Sequence, residues 1–302
     1  MVREMTMEDK QQDDFRKAGK IAAKAREIIP ALIKPGALYV EIADKVEQKI
    51  IELGGRLGFP CNISVNNVAA HHVPLYGETL ALKEGDLVKV DFGAHINGAI
   101  ADTAVSFSVG KNELNEKLIA ASEAALNAAI AAVHPGVKVS EIGAAVEKEI
   151  MRRGFLPIKN LCGHLIEIYN LHAGISIPNY NTKAQAVLEE GMVIALEPFA
   201  TNGNGAVSEG AEVGVYRIDN EGTVRLGKEI LNFIISEYQT LPFAKRWLMK
   251  KFNPLKVNLF LKEACAKGIL HEYNALLERK GAKVAQSEHT LIIKEKSEII
   301  TK

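Results

Sequence analysis

PGALYVEIADKVEQKIIELG, residues 35–54, recurs without gaps as PGVKVSEIGAAVEKEIMRRG, residues 135–154, at an offset of one hundred positions. Pro35, Gly36, Glu41, Ile42, Val46, Glu47, Ile50 and Gly54 return as Pro135, Gly136, Glu141, Ile142, Val146, Glu147, Ile150 and Gly154. Two amphipathic helices readily share Glu, Ile and Val spacing. The common Pro-Gly and the terminal Gly favour duplication over coincidence. Each copy follows an amphipathic helix (about 12–33, then about 112–133), turns at Pro-Gly and runs a second helix that Gly54 or Gly154 stops. Strand-like sequence comes next in both copies. The period is far too long for a solenoid, so the repeat predicts two α/β halves related by a pseudo-twofold axis, with a seam of the kind where ligands commonly sit.

Further strand-like segments fall around 163–172, 191–200, 211–218 and 223–227, residues 228–283 read as helical, and QSEHTLIIKEKSEII (286–300) resumes an alternating strand pattern. The simplest organisation is a domain of residues 1–227 and 284–302 with a helical insert at 228–283. Within the insert, residues 244–283 hold ten Lys/Arg against three Glu, a surplus of seven positive charges.

The chain of 302 residues is long enough for a large core. Its 47% hydrophobic and 25% charged residues, balanced charge and pI near 7.1 recruit neither nucleic acid nor membrane globally. The charged start MVREMTMEDKQQDD has no apolar core of a signal peptide, and no run of eighteen apolar residues occurs. Cys61, Cys162 and Cys265 are odd in number and widely spaced, which argues against a disulfide framework and a thiolate zinc site. A cytoplasmic protein is the expectation.

The chemistry begins in KVDFGAHINGAIADTA, residues 89–104. Asn97-Gly98 is a strong hairpin signal, since both residues accept the positive φ of a type I′ turn. With that two-residue loop, position 91 faces 104 and 93 faces 102, so Asp91 and Asp102 project from one face as diagonal neighbours, their Cα atoms roughly 7–8 Å apart. Two such carboxylates converge on a cation, or else lie on the wet side of a two-faced antiparallel sheet. Three other strand-like segments carry polar residues out of keeping with their neighbours: CGHLIEIYNLHAG with His164 and His172, GMVIALEPFA with Glu197, and QSEHTLII with Glu288. Singly, each carboxylate reads as a satisfied core or edge residue. Jointly, two Asp, two Glu and a His form the ligand set of an oxygen-rich two-metal site, where two divalent cations cancel four negative charges.

These segments resemble those of the type 2 methionine aminopeptidases, in the archaeal form without a long N-terminal extension. The matching motifs are GFPCNISVNNVAAHHVP, KVDFGAHINGAIADTA, NLCGHLIEIYNLHAGISIP, ALEPFAT, QTLPFAKRW and AQSEHT, in the family's order over about residues 58–294. The resemblance implies the pita-bread fold, an α/β sandwich around a dinuclear centre, with the helical insert that separates type 2 from type 1 enzymes. It implies that Asp91 binds one metal, His164 and Glu197 the other, and that Asp102 and Glu288 bridge both. The cofactors would be two divalent ions, Co, Mn, Fe or Zn, a choice that such a hard ligand set leaves to availability. The implied reaction is release of the N-terminal methionine of nascent polypeptides with a small second residue, by a metal-bridged water or hydroxide. Glu197 would shuttle the proton, and His71 and His172 would contact the substrate near the scissile amide.

His72 matches no functional position and is expected to pack or face solvent. Along a straight strand His172 would lie about 26 Å from His164. Phe59 and Pro242 match walls of the methionine pocket. Ser287 departs from the family's usual Phe, and alternation along the strand should turn it behind the sheet with Glu288 left in place. Cys162 stands where a small polar residue is common. Rival readings are an X-Pro aminopeptidase or prolidase of the same fold, and a non-catalytic relative binding ribosomes or nucleic acid, against which the complete ligand set argues. A monomer is expected, with the basic residues 244–283 as a candidate ribosome contact against the plainer reading of a solvated helix face.

Overall fold

The structure, a computed structural model, describes residues 7–302, so the charged start lies partly outside the described residues. The first half runs α1 (Met7–Arg26), α2 (Ile29–Leu32), α3 (Tyr39–Glu52), β1 (Arg56–Val65), β2 (Val68–Ala70), β3 (Leu87–Ile96) and β4 (Ala99–Ser108). The second runs α4 (Glu113–Ala132), α5 (Val139–Met151), β5 (Leu156–Pro157), β6 (Cys162–Ile166), β7 (Ser176–Pro178), β8 (Val193–Leu196) and β9 (Phe199–Thr201). After β10 (Ser208–Ile218) come α6 (Lys228–Glu237), β11 (Phe243–Ala244), α7 (Lys245–Lys251) and α8 (Pro254–Ala266). The chain returns through β12 (Leu270–Leu277), β13 (Val284–Gln286), β14 (His289–Ile292) and β15 (Glu298–Ile299).

Four expectations change. The helix expected over 12–33 breaks after Arg26, and Pro30 sits in the first turn of α2, where its missing N–H is tolerated. Residues 223–227 form no strand. The helical stretch ends at Ala266, and β12 instead joins the sheet β11-β10-β12-β2. The strand expected over 163–172 ends at Ile166 and the chain reverses through Glu167 and Asn170.

The duplication is visible in hydrogen bonding. Gly36 N donates to Leu82 O and Gly136 N to Leu188 O, each at 2.8 Å. Those acceptors open a second matching stretch, Leu82-Lys83-Glu84-Gly85 and Leu188-Glu189-Glu190-Gly191, at an offset of 106. Gly85 (φ 85°) and Gly191 (φ 87°) take the left-handed turn that starts β3 and β8. Asp91 and Glu197 stand six residues beyond these glycines and are therefore equivalent positions of the two halves.

α1 and α3 cover the sheet β1-β3-β4 with a core that includes Ile42, Val46, Ile50, Val90 and Phe92. α4 and α5 cover the sheet β15-β14-β8-β6-β7 with Leu118, Ile142, Ile150, Ile194 and Leu291. Where the sheets meet, β4 runs beside residues 286–290 and side-chain hydroxyls stitch the backbones. Asp102 N donates to Thr290 Oγ1 (2.7 Å), which donates to Asp102 O (2.8 Å). Thr103 Oγ1 donates to Glu288 O (3.0 Å) and Ser106 Oγ to Gln286 O (2.7 Å). Glu288 N closes the seam on Ala104 O at 3.1 Å.

The helices α6, α7 and α8 share with β10, β11 and β12 a core that includes Ile230, Leu231, Ile234, Val257, Phe260 and Tyr216. They are tied to the first half by Arg246, whose side chain is fully buried. It ion-pairs with Glu47 on α3 and, at 3.4 Å, with Asp44. Glu47 also accepts from Trp247 Nε1 (2.9 Å) and Cys61 N (3.0 Å). Removing one partner of such a pair strands a buried charge. Glu47→Leu is therefore expected to lose about 3–5 kcal/mol of unfolding free energy in urea titration, and the double variant Glu47→Leu/Arg246→Met to recover much of it.

Candidate metal centre

The hairpin pairs as its turn dictates. Asp91 stands opposite Ala104 and Gly93 opposite Asp102, with Asn97 at φ 50° and Gly98 at φ 86° in the loop. Asp91 and Asp102 thus share a face of the sheet. β6 supplies His164, the end of β8 leads into Glu197, and the link from β13 to β14 carries Glu288. All nine residues singled out in the sequence, Phe59, His71, Asp91, Asp102, His164, His172, Glu197, Pro242 and Glu288, line one cavity of about 290 Å³. Ligand atoms of Asp102, His164 and Glu288 lie within 4.8 Å of one another. His164 Nε2 is 3.6 Å from both Asp102 Oδ2 and Glu197 Oε1.

The two histidines are not on one straight strand. Because the chain reverses at residues 167–170, His172 returns beside His164, their ring centroids 4.4 Å apart. His72 is buried, with Nδ1 2.8 Å from Ile63 O, which is the packing alternative. Ser287 turns away from the cavity, its Oγ 2.8 Å from Ser122 Oγ on α4. Cys162 lines the cavity.

Gln286 was not singled out. Its buried Nε2 lies 3.4 Å from Asp91 Oδ2, 3.5 Å from Glu197 Oε2 and 3.4 Å from Glu288 Oε2, so one amide touches three of the four carboxylates. The available signal was period two, which puts Gln286 and Glu288 on one face of AQSEHT.

Electrostatics test whether these residues suit a cation. Burial, followed by mutual repulsion, pushes the carboxyls of Asp91, Glu197 and Glu288 well above the ordinary range. Burial also raises Asp102, against the lowering effect of His164. Arg26 opposes the shift at Glu288, less strongly than burial and the neighbouring carboxylates raise it. Asp91 Oδ1 and Asp102 Oδ1 are buried without a partner. Crowded carboxylates with unpartnered oxygens and one imidazole fit divalent cations. Burial lowers His71 to about 4, against the raising effect of a hydrogen bond to the Asn274 backbone, so its ring is neutral at neutral pH. His71 also holds φ 63°, a left-handed conformation rare for a side-chain-bearing residue and characteristic of strained functional positions. His172 is held below the ordinary imidazole value first by burial and then by repulsion from neighbouring cationic groups, Arg217 among them.

A pseudo-twofold α/β frame with buried carboxylates and a histidine converging on one cavity defines the class of divalent-metal enzymes. The model of metallopeptidase family M24 matches residues 13–232. A methionine aminopeptidase of Pyrococcus horikoshii is 46% identical over 292 residues, covering 96% of this chain and 98% of that protein. The solved methionine aminopeptidase of Thermotoga maritima superposes with a TM-score of 0.72 at 25% identity over 100% of both chains. The prolidase of Pyrococcus furiosus shares the fold, with a TM-score of 0.63 at 20% identity, over 97% of this chain and 64% of that one. The chain belongs to metallopeptidase family M24, and its fold is the pita-bread fold.

The raised carboxyls set a pH dependence. A group whose folded-state pKa exceeds its unfolded value adds stability below the unfolded value and loses it as pH climbs through the folded one. Stripped of metal, the protein should therefore lose stability as pH rises from about 4 through neutrality, whereas a divalent ion, which needs the ionised cluster, should protect it increasingly. Thermal midpoints with and without chelator are expected to diverge with rising pH. A constant gap would contradict this account.

Proposed function

We propose that the chain is a metal-dependent aminopeptidase that removes the N-terminal methionine of polypeptides and prefers a small second residue. One observation carries the reading: all nine candidate residues line one cavity in a chain similar over nearly its whole length to methionine aminopeptidases. In this reading the centre would hold two divalent ions, Asp91 helping to hold one, His164 and Glu197 the other, and Asp102 and Glu288 contributing to both. When bound, the ions supply Lewis acidity and lower the pKa of a water nucleophile. Glu197, at the cavity end of β8, takes up and releases the proton. His71, neutral above about pH 5 by its lowered pKa, donates to the substrate amide and follows the leaving nitrogen. His172 hydrogen-bonds the substrate carbonyl from the other side. Phe59, Pro242 and the neighbouring Leu171, Phe199 and Val215 give the cavity an apolar side suited to a thioether.

The domain division is part of this reading, with residues 228–283 as an insert on a catalytic body of 1–227 and 284–302. So are a monomer in the cytoplasm, supported by three free cysteines, and an ion drawn from Mn, Fe, Co or Zn. No helix among the described residues is long and apolar enough to cross a membrane. A ribosome contact through residues 244–283 draws less support. Lys250, Lys256 and Lys267 pair with Asp44, Glu229 and Glu263, and Arg246 is buried. If the contact exists, ribosome co-sedimentation falls steeply with salt; co-sedimentation indifferent to salt speaks against it.

The direct test incubates chelated protein with peptides beginning Met-Ala, Met-Leu and Ala-Pro, restores each metal separately and identifies the released amino acid by mass spectrometry. Metal-dependent release of Met from Met-Ala, with little from Met-Leu, is expected. Release from Ala-Pro would move the assignment to a proline-specific peptidase, and silence with every metal to a binding protein. Asp102→Asn should weaken metal binding in calorimetry. His71→Ala should keep the metal and lower kcat by about 10²–10⁴-fold.

A further inference from the structure

A second cavity, of about 350 Å³, adjoins the metal cavity. The two share four wall residues, Leu171, His172, Pro242 and Tyr273, so they form one passage rather than two sites. The metal cavity is its inner end. Asn170 and Thr240, which line the second cavity and not the metal cavity, are exposed, so that end faces solvent. β10 runs along both: Val215 lines the inner cavity, and Arg217, two residues on and therefore on the same strand face, lines the outer groove.

Arg217 is only partly committed. Its Nη2 donates to Asp219 Oδ1 at 2.9 Å, which offsets its charge. Its Nε is shielded from solvent and has no acceptor. The side chain as a whole is 31% exposed at the groove, so a modest turn of the guanidinium would bring this unpaired donor to an acceptor that arrives with a ligand. With the charge already countered by Asp219, that acceptor is better a neutral carbonyl than a second carboxylate.

We propose that this groove binds the main chain of the substrate beyond its second residue, with Arg217 Nε donating to a backbone carbonyl of the third or fourth residue. The assignment rests on the aminopeptidase reading above. If the first residue is held at the metal end, with the scissile amide between His71 and His172, the rest of the polypeptide must leave past the shared wall. An extended chain advances about 3.3 Å per residue, so the residues just beyond that wall enter the groove. Main-chain recognition suits an enzyme that must accept many sequences at these positions.

The test compares kcat/KM for amidated Met-Ala, Met-Ala-Ser and Met-Ala-Ser-Gly on the metal-loaded protein, amidation removing the C-terminal carboxylate as a confounding partner for Arg217. The wild type is expected to gain about tenfold from the shortest to the longest peptide, as one hydrogen bond to a charged donor allows. Arg217→Ala and Arg217→Lys, the second keeping the charge without the guanidinium Nε, are expected to lose most of that gain, with unchanged thermal midpoints. No gain in the wild type, a gain that survives in both variants, or an equal loss at every length would overturn the proposal while methionine release still stood. A gain confined to peptides with Glu at the third position would replace main-chain recognition by a carboxylate subsite. Failure of the wild type to release Met from any peptide would remove the aminopeptidase reading and this proposal with it.

Discussion

Confinement of four carboxylates in one cavity is the constraint to which the rest of the structure answers. Like charges at such separations, in a medium less polarisable than water, repel strongly enough that they hold protons or a cation. No single sheet supplies all four. Asp91 and Asp102 come from the hairpin of the first half, Glu197 from the second half, and Glu288 from the strand that returns after the insert. The seam that brings them together is built from the hydroxyls of Thr103, Ser106 and Thr290 and from backbone bonds. Those bonds pair the backbone of the seam and leave Asp91 Oδ1 and Asp102 Oδ1 over, and the oxygens left over are what a cation would use.

Duplication explains how such a cluster arises on an ordinary sheet. Equivalent strands, each opened by a left-handed glycine, place Asp91 and Glu197 at matching positions on either side of the axis. The halves then differ where the chemistry needs them to. In the second half β6 lies so close to β8 that a Cβ at residue 163 would sit 2.3 Å from Ala195 O. Glycine there lets the neighbouring His164 stand beside Glu197 and reach Asp102 across the axis.

Much of this was legible in the sequence because a few local signals leave little freedom. Asn97-Gly98 allows one turn, that turn fixes the register of the whole hairpin, and the register puts Asp91 and Asp102 on one face. The repeat was legible for a similar reason, Pro-Gly and a terminal Gly being backbone requirements and not only hydrophobic spacing. What escaped lacked such marks. The reversal that returns His172 to His164 uses no Gly or Pro, and Tyr169 takes φ 56° there. LHEYNALL, the strand β12, has no clean alternation and gains its conformation from pairing with β10. The second matching stretch was hidden by a change of offset, and Gln286 by being one polar residue among several.

The segment around α7 shows how the cavity wall is held independently of the carboxylate cluster. Glu47 and Glu147 occupy the same position of the repeat, yet Glu147 accepts from Asn181 N near the surface, whereas Glu47 is buried around Arg246 and Trp247. Arg246 lies four residues beyond Pro242, with β11 and the start of α7 between them. An ion pair on the far side of β1 thereby fixes the segment that lines both the metal cavity and the groove beyond it. The carboxylates are positioned by the seam between the halves, and the wall by a buried charge pair that touches none of them. Altering the wall therefore need not disturb the cluster, because separate interactions hold the two.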